Sequence, residues 1–171
     1  ILFLGGLETY KGADRLPEIH KKAEAIYGEP IRLDIAGRDG SVSDRITSYC
    51  SDNCSAHYHG YVSEHKKQRL LQKAWLLLLP SRVEGYGIVA IEANACGTPV
   101  VGTDVKGLRD SIKHEQTGLI VTENTDEIAS AVVDLLSNNS YRTELGRHGR
   151  DWAERHSWES AASQFNNLIS S

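Results

Sequence analysis

The stretch Trp75-Leu-Leu-Leu-Leu79, closed by Pro80, sets the tightest limit on the fold. An unbroken aliphatic run leaves no face for water, so it reads as a strand buried on both sides. Such strands belong to parallel sheets with helices over each face. After it come a polar turn, the hinge Gly85-Tyr86-Gly87, and a helix that is apolar almost all round, with Ile88, Val89, Ala90, Ile91, Ala93 and Ala95. Glu92 stands among them. A carboxylate on a helix destined for burial is costly to desolvate alone, so donors from outside the helix are expected to meet it.

The rest of the chain repeats the pattern. Strands are expected at Ile1 to Gly5, Ile31 to Ala36, Ala56 to Val62, Pro99 to Thr103 and Gly118 to Val121. Between them, helices are expected from Lys11-Gly12 to about Tyr27, from Ser43 to Tyr49 and from Ser63-Glu64 to Lys73. Gly107 to Ile112 reads as a loop with a short helical turn. Helices close the chain at about Thr125–Leu136, Ser140–Arg155 and Trp158–Ile169. With no strand between them, these last helices are expected to brace one edge or a neighbouring domain. Alternating strands and helices imply an α/β chain, a Rossmann-like doubly wound parallel sheet of about six strands in a single domain over 1–171. Ligands of such sheets bind at the carboxyl ends of the strands. The glycine-rich turns Gly5-Gly6, Gly37 to Gly40, Gly60, Gly85 to Gly87 and Gly102 are all expected at that edge.

Composition bounds the partners. At 171 residues, 40% hydrophobic and 25% charged, the chain has an ordinary globular make-up. A net charge of −4 with scattered basic residues argues against a nucleic-acid partner. No apolar stretch approaches a membrane span, so membrane contact is not expected through this domain. Three cysteines in no framework spacing favour a reducing compartment. Cys50, Cys54, His57 and His59 are close enough in sequence to hold zinc. The plainer reading is a small apolar pair at a helix end and two strand histidines. With no Met and a start inside an apolar run, the chain reads as excised from something longer.

The turn after Pro80 suggests chemistry. Glu84-Gly85-Tyr86-Gly87 opens a helix, and free amides there, with the positive end of the helix dipole, make an anion site. Lys11, after the first strand, can clamp the same anion, or it is a solvated surface lysine. At a helical rise, Glu84 and Glu92 would stand roughly 10 Å apart with those amides between them. The layout fits the hydroxyls on either side of a sugar–diphosphate–ribose, although structural carboxylates capping backbone groups fit as well. The dinucleotide fingerprint, the P-loop and the serine nucleophile elbow are all absent.

The segment E-G-Y-G-I-V-A-I-E at 84–92, followed by A-N-A-C-G-T-P-V-V, resembles the E-x7-E signature of group-1 (family 4) retaining glycosyltransferases of the two-domain GT-B fold. G-G-L-E-T-Y-K-G at 5–12, L-D-I-A-G at 33–37, H-G-Y-V at 59–62, P-S at 80–81, G-L-R-D-S-I at 107–112 and T-G-L-I-V at 117–121 agree in order. The resemblance covers essentially the whole chain and implies the family's C-terminal, donor-binding half, with the N-terminal acceptor domain absent.

It implies transfer of a sugar from a UDP- or GDP-linked donor to an acceptor hydroxyl with retained configuration, without metal or cofactor. Lys11 and Glu84 are then the catalytic residues. The donor site comprises Gly5, Gly6, Lys11, Arg38, Tyr61, Val62, Glu84, Gly85, Tyr86, Gly87, Ile88 and Glu92. Lys11 takes the diphosphate, Glu92 the ribose, and Arg38, Tyr61 and Val62 the base. The acceptor, a sugar or lipid-linked sugar, falls to the missing domain. The resemblance also implies a cytoplasmic protein, peripheral at the inner membrane face if it meets a membrane at all. Gly6 departs from the family, which usually has Arg there, and Arg82 or Lys106 are the candidates to compensate. Glu64 could accept from a guanine amino group, or simply favour a helix start. A sugar-nucleotide epimerase, a phosphorylase or a non-catalytic nucleotide-binding module would share the architecture.

Overall fold

The computed structural model describes residues 1–155. Six strands, β1 (Leu2–Leu4), β2 (Leu33–Ala36), β3 (Ala56–Tyr58), β4 (Leu77–Leu79), β5 (Val100–Thr103) and β6 (Gly118–Val121), form one sheet in the order β3-β2-β1-β4-β5-β6. Every adjacent pair is parallel, so this is the expected doubly wound, Rossmann-like α/β fold. The helices are α1 (Leu16–Tyr27), α2 (Ser43–Asp52), α3 (Glu64–Lys73), α4 (Ile88–Ala95), α5 (Lys106–Ser111), α6 (Thr125–Ser137) and α7 (Asn139–Arg155). The helix expected at Trp158–Ile169 lies outside the described residues.

The aliphatic strands feed two cores. Phe3, Ile35, Leu78 and Val101 point to one face, where Ile19 of α1 and Val132 of α6 cover them. Their neighbours Leu2, Leu4, Leu77, Leu79 and Val100 point to the other, under Leu71 of α3, Ala90 and Ala93 of α4, and Leu108 of α5. Burial on both faces is why the strands carry no polar alternation. The closing helices do more than brace an edge. Leu145 of α7 joins the first core, while Gly146 and Gly149 press against Gly97 and Asn94 at the end of α4.

Local chemistry sets the boundaries. Ser63 caps α3 by accepting from the Lys66 amide at 3.3 Å, and Asn124 caps α6 by accepting from the Asp126 amide at 2.7 Å. The first helix begins later than expected. Gly12 takes a left-handed φ of 72° and splits the stretch into two single 3-10 turns, Thr9–Lys11 and Ala13–Arg15, ahead of α1. β3 stops at Tyr58 rather than Val62, because Gly60 turns the chain at φ 66°. Gly102 is not a turn at all: it lies inside β5, where a β-carbon would meet Ile112 at 2.7 Å.

Candidate functional site

The strand order reverses between β1 and β4, and in open α/β sheets the crevice above that reversal is the binding place. The loops leaving those two strands carry Lys11 and Glu84, and they are fastened together. Both Arg82 and Val83 amides donate to the Tyr10 carbonyl, at 2.8 and 3.2 Å. The Arg82 guanidinium grips Asp14 with two bonds of 2.7 and 2.9 Å. Burial favours the neutral acid, but the Arg82 contact outweighs it and holds the Asp14 carboxyl below the usual range. Gly12 makes the approach possible, since a β-carbon there would run into the Pro80 carbonyl. Lys11 is therefore not a loose surface side chain. Its ammonium sits 2.8 Å from each oxygen of Glu84. Glu84 also accepts from Ser81 Oγ at 3.4 Å and from the Gly85 amide at 3.3 Å, and only 13% of its side chain is exposed.

Glu84 lies in the loop, four residues ahead of α4, so a helical rise does not describe its separation from Glu92. The hinge itself is demanding. Gly87 is the N-cap of α4 at φ 71°, with no side chain capping the helix. A β-carbon on Gly87 would meet Ser111 Oγ at 2.6 Å, and one on Gly107 would strike the Glu84 carbonyl. The amides of Gly87, Ile88 and Val89 consequently have no protein partner among the described residues. Gly85 has open space around it, and Tyr86 and Ile88 are exposed.

Glu92, near the middle of α4, meets the donor its burial called for. Lys67, one turn into α3, holds Glu92 Oε1 at 2.7 Å, while Glu92 Oε2 is shut from solvent with no partner among the described residues. Lys67 escaped the sequence reading because Glu64-His-Lys-Lys-Gln-Arg69 looks like any solvated helix face. Glu64 is exposed at the helix start and pairs with the same Lys67 at 2.7 Å. At the ends of β2 and β3, Arg38 stacks its guanidinium 5.3 Å from the centre of the Tyr61 ring, and both are exposed. Val62 turns inward against the second core. Gly5 and Gly6 are half-buried in the first turn, where the Gly5 amide bonds the Ala36 carbonyl. Of the two candidates to replace an arginine at position 6, Arg82 is committed to Asp14, and Lys106 is exposed at the start of α5.

The cysteine–histidine cluster disperses. His59 bonds Asp34 at 2.7 Å, Cys50 packs against the first core, and Cys54 and His57 are exposed. Among the described residues no group of three or more His, Cys, Asp or Glu side chains is placed to hold a metal, and no helix is long and apolar enough to cross a membrane.

Comparison with known proteins puts this geometry in a family. The family described as "Glycosyl transferases group 1" matches residues 1–152. An uncharacterized glycosyltransferase of Methanocaldococcus jannaschii is 34% identical over 173 residues, covering 98% of this chain and 44% of its own length. A D-inositol 3-phosphate glycosyltransferase of Paenarthrobacter aurescens is 38% identical over 172 residues, covering 95% and 41%. A mutant of S. aureus TarM, crystallised with fondaparinux, alpha-GlcNAc-glycerol and UDP, shares the fold with a TM-score of 0.84 at 28% identity, over 99% of this chain and 35% of that one. The chain spans less than half the length of these relatives. The reversal point, the tied loops and a family match running almost end to end agree: this chain belongs to the group 1 glycosyl transferases.

Proposed function

We propose that the chain is the donor-binding half of a two-domain, GT-B, retaining glycosyltransferase of family 4, and that its ligand is a sugar linked to a nucleoside diphosphate. The observation that carries this reading is the Lys11–Glu84 contact beside the uncapped first turn of α4. A cation and unpartnered amides at a helix N-terminus suit a diphosphate. The adjoining carboxylate, Glu84, suits the hydroxyls of the sugar. UDP in the TarM mutant structure makes a uridine donor the first to try. Glu92 takes ribose hydroxyls, and the exposed Arg38–Tyr61 stack offers a flat, cationic surface to a base.

The chemistry is electrostatic. Lys11 and the α4 amides stabilise the departing diphosphate as the bond to an oxocarbenium-like sugar breaks, and closure of a second domain over this edge excludes water. Acceptor choice belongs to that second domain. Gly6 favours one other reading, a nucleotide-binding module without turnover, which tight binding without transfer by the longer protein would reveal.

A thermal-shift panel of the 171-residue chain with uridine, guanosine and adenosine diphosphates and their sugar conjugates tests the proposal. At a hundredfold excess over Kd, a true ligand adds about 2.7 kcal/mol of stability, which raises Tm by roughly 5–10 °C. No shift with any of them would contradict it. In the longer protein, Glu84→Gln is expected to abolish transfer while nucleotide binding survives, and normal turnover would remove Glu84 from its role.

A further inference from the structure

Glu92 has one oxygen committed and one spare. Oε1 is held by Lys67 at 2.7 Å, and Oε2 is enclosed without a partner among the described residues. A carboxylate with one oxygen enclosed and unpartnered is expensive, and a charged donor on its other oxygen offsets part of that cost. The cation in contact with it is Lys67. That ammonium is itself caught between two carboxylates, with Glu64 Oε2 at 2.7 Å on the solvent side. Burial pulls the lysine's proton affinity down, but its bonds to Glu64 and Glu92 outweigh this and raise it, so Lys67 stays charged. Lys67 comes from α3 and Glu92 from α4, so their bond also joins the two helices.

We propose that Lys67 is a positioning residue for the nucleoside, orienting Glu92 through a charge-assisted bond so that its second oxygen takes the vicinal hydroxyls of a ribose. This rests on the functional reading above, which places a nucleotide at this edge. Because Oε2 is enclosed as it stands, it meets a ribose only on rotation about the broad terminal torsion of Glu92, through which an ammonium with three donors can follow Oε1. Lys67 acts through Glu92 and makes no contact with the reacting atoms. A plain inter-helix ion pair would show the same bond, but it would not tell ribose from deoxyribose.

The test is calorimetric titration of the 171-residue chain with UDP and 2′-deoxy-UDP, or with the guanosine pair if the wild type binds that base. The readout is the ratio of the two dissociation constants. The wild type is expected to favour the ribonucleotide by at least about tenfold, the worth of one bond to a charged acceptor. Glu92→Gln and Lys67→Met are each expected to bring the ratio near unity, and Lys67→Arg to retain it. Should Lys67→Met fail to fold, Lys67→Gln, which keeps a donor and loses the charge, carries the same expectation. A wild-type ratio in Lys67→Met or Lys67→Gln, beside a lost ratio in Glu92→Gln, overturns the proposal and leaves the functional reading standing. An unchanged ratio in Glu92→Gln, or no binding of either nucleotide by the wild type, overturns the functional reading itself.

Discussion

Lys11 reaches Glu84 because its neighbour, Gly12, has no β-carbon to collide with the Pro80 carbonyl. Gly12→Ala imposes both that collision and an unfavourable left-handed backbone, so a loss of about 2 kcal/mol or more is expected in denaturant unfolding. An unchanged midpoint would mean the two loops are not fastened as described. Gly6 is the opposite case. A β-carbon there meets nothing nearer than Glu8 Cγ at 3.8 Å, and its backbone needs no special conformation. Gly6→Arg is therefore expected to keep Tm and, by adding a guanidinium, to tighten diphosphate binding about tenfold in calorimetry.

Asp34 makes a third residue-level case. Burial opposes its charge, yet a bidentate bond from Arg32 and one from His59 overcome that and hold the carboxyl at about 2, below its ordinary 3.8. A depressed folded value contributes stability above pH ~4 that is lost as pH falls toward 2. Asp34→Asn is expected to cost about 1–2 kcal/mol at neutral pH, after allowance for solvent screening, and the gap to wild type to close across that acid window. A gap that stays constant with pH would contradict this. None of Asp34, His59 and Lys67 was legible as a partner from sequence, because each contact joins different elements.

At the scale of elements, type and order were legible and ends were less so. The apolar runs and the Ser63-Glu64 start marked β4, α3 and α6 closely, because those signals are local. The errors arose where tertiary packing decides. Gly12 bends for the sake of Pro80, and Gly102 sits in a strand to make room for Ile112. Helix α7 shows packing overriding propensity. Ala is favoured over Gly in a helix interior by about 1 kcal/mol. Gly146→Ala would nevertheless push a methyl into the Gly97 carbonyl, so a net loss of about 1–2 kcal/mol is expected from thermal unfolding. A higher Tm would show that α7 is not pressed against the end of α4.

Across the whole molecule, the doubly wound architecture followed from strands too apolar to face water, and the choice of the strands' carboxyl ends as the candidate site followed from the architecture. Strand order did not, since nothing local in β1 says that it pairs with both β2 and β4. That order places the reversal between the loops of Lys11 and Glu84, and it brings two residues 73 apart in sequence into direct contact. We propose that a nucleoside diphosphate is held at this edge through Lys11. Isothermal titration of the 171-residue chain and its Lys11→Met variant with UDP and GDP tests it most directly. One-site binding by the wild type, weakened at least about tenfold in the variant while the fold is kept, is the expected result. Undiminished binding in Lys11→Met, or no binding of either nucleotide by the wild type, would contradict it.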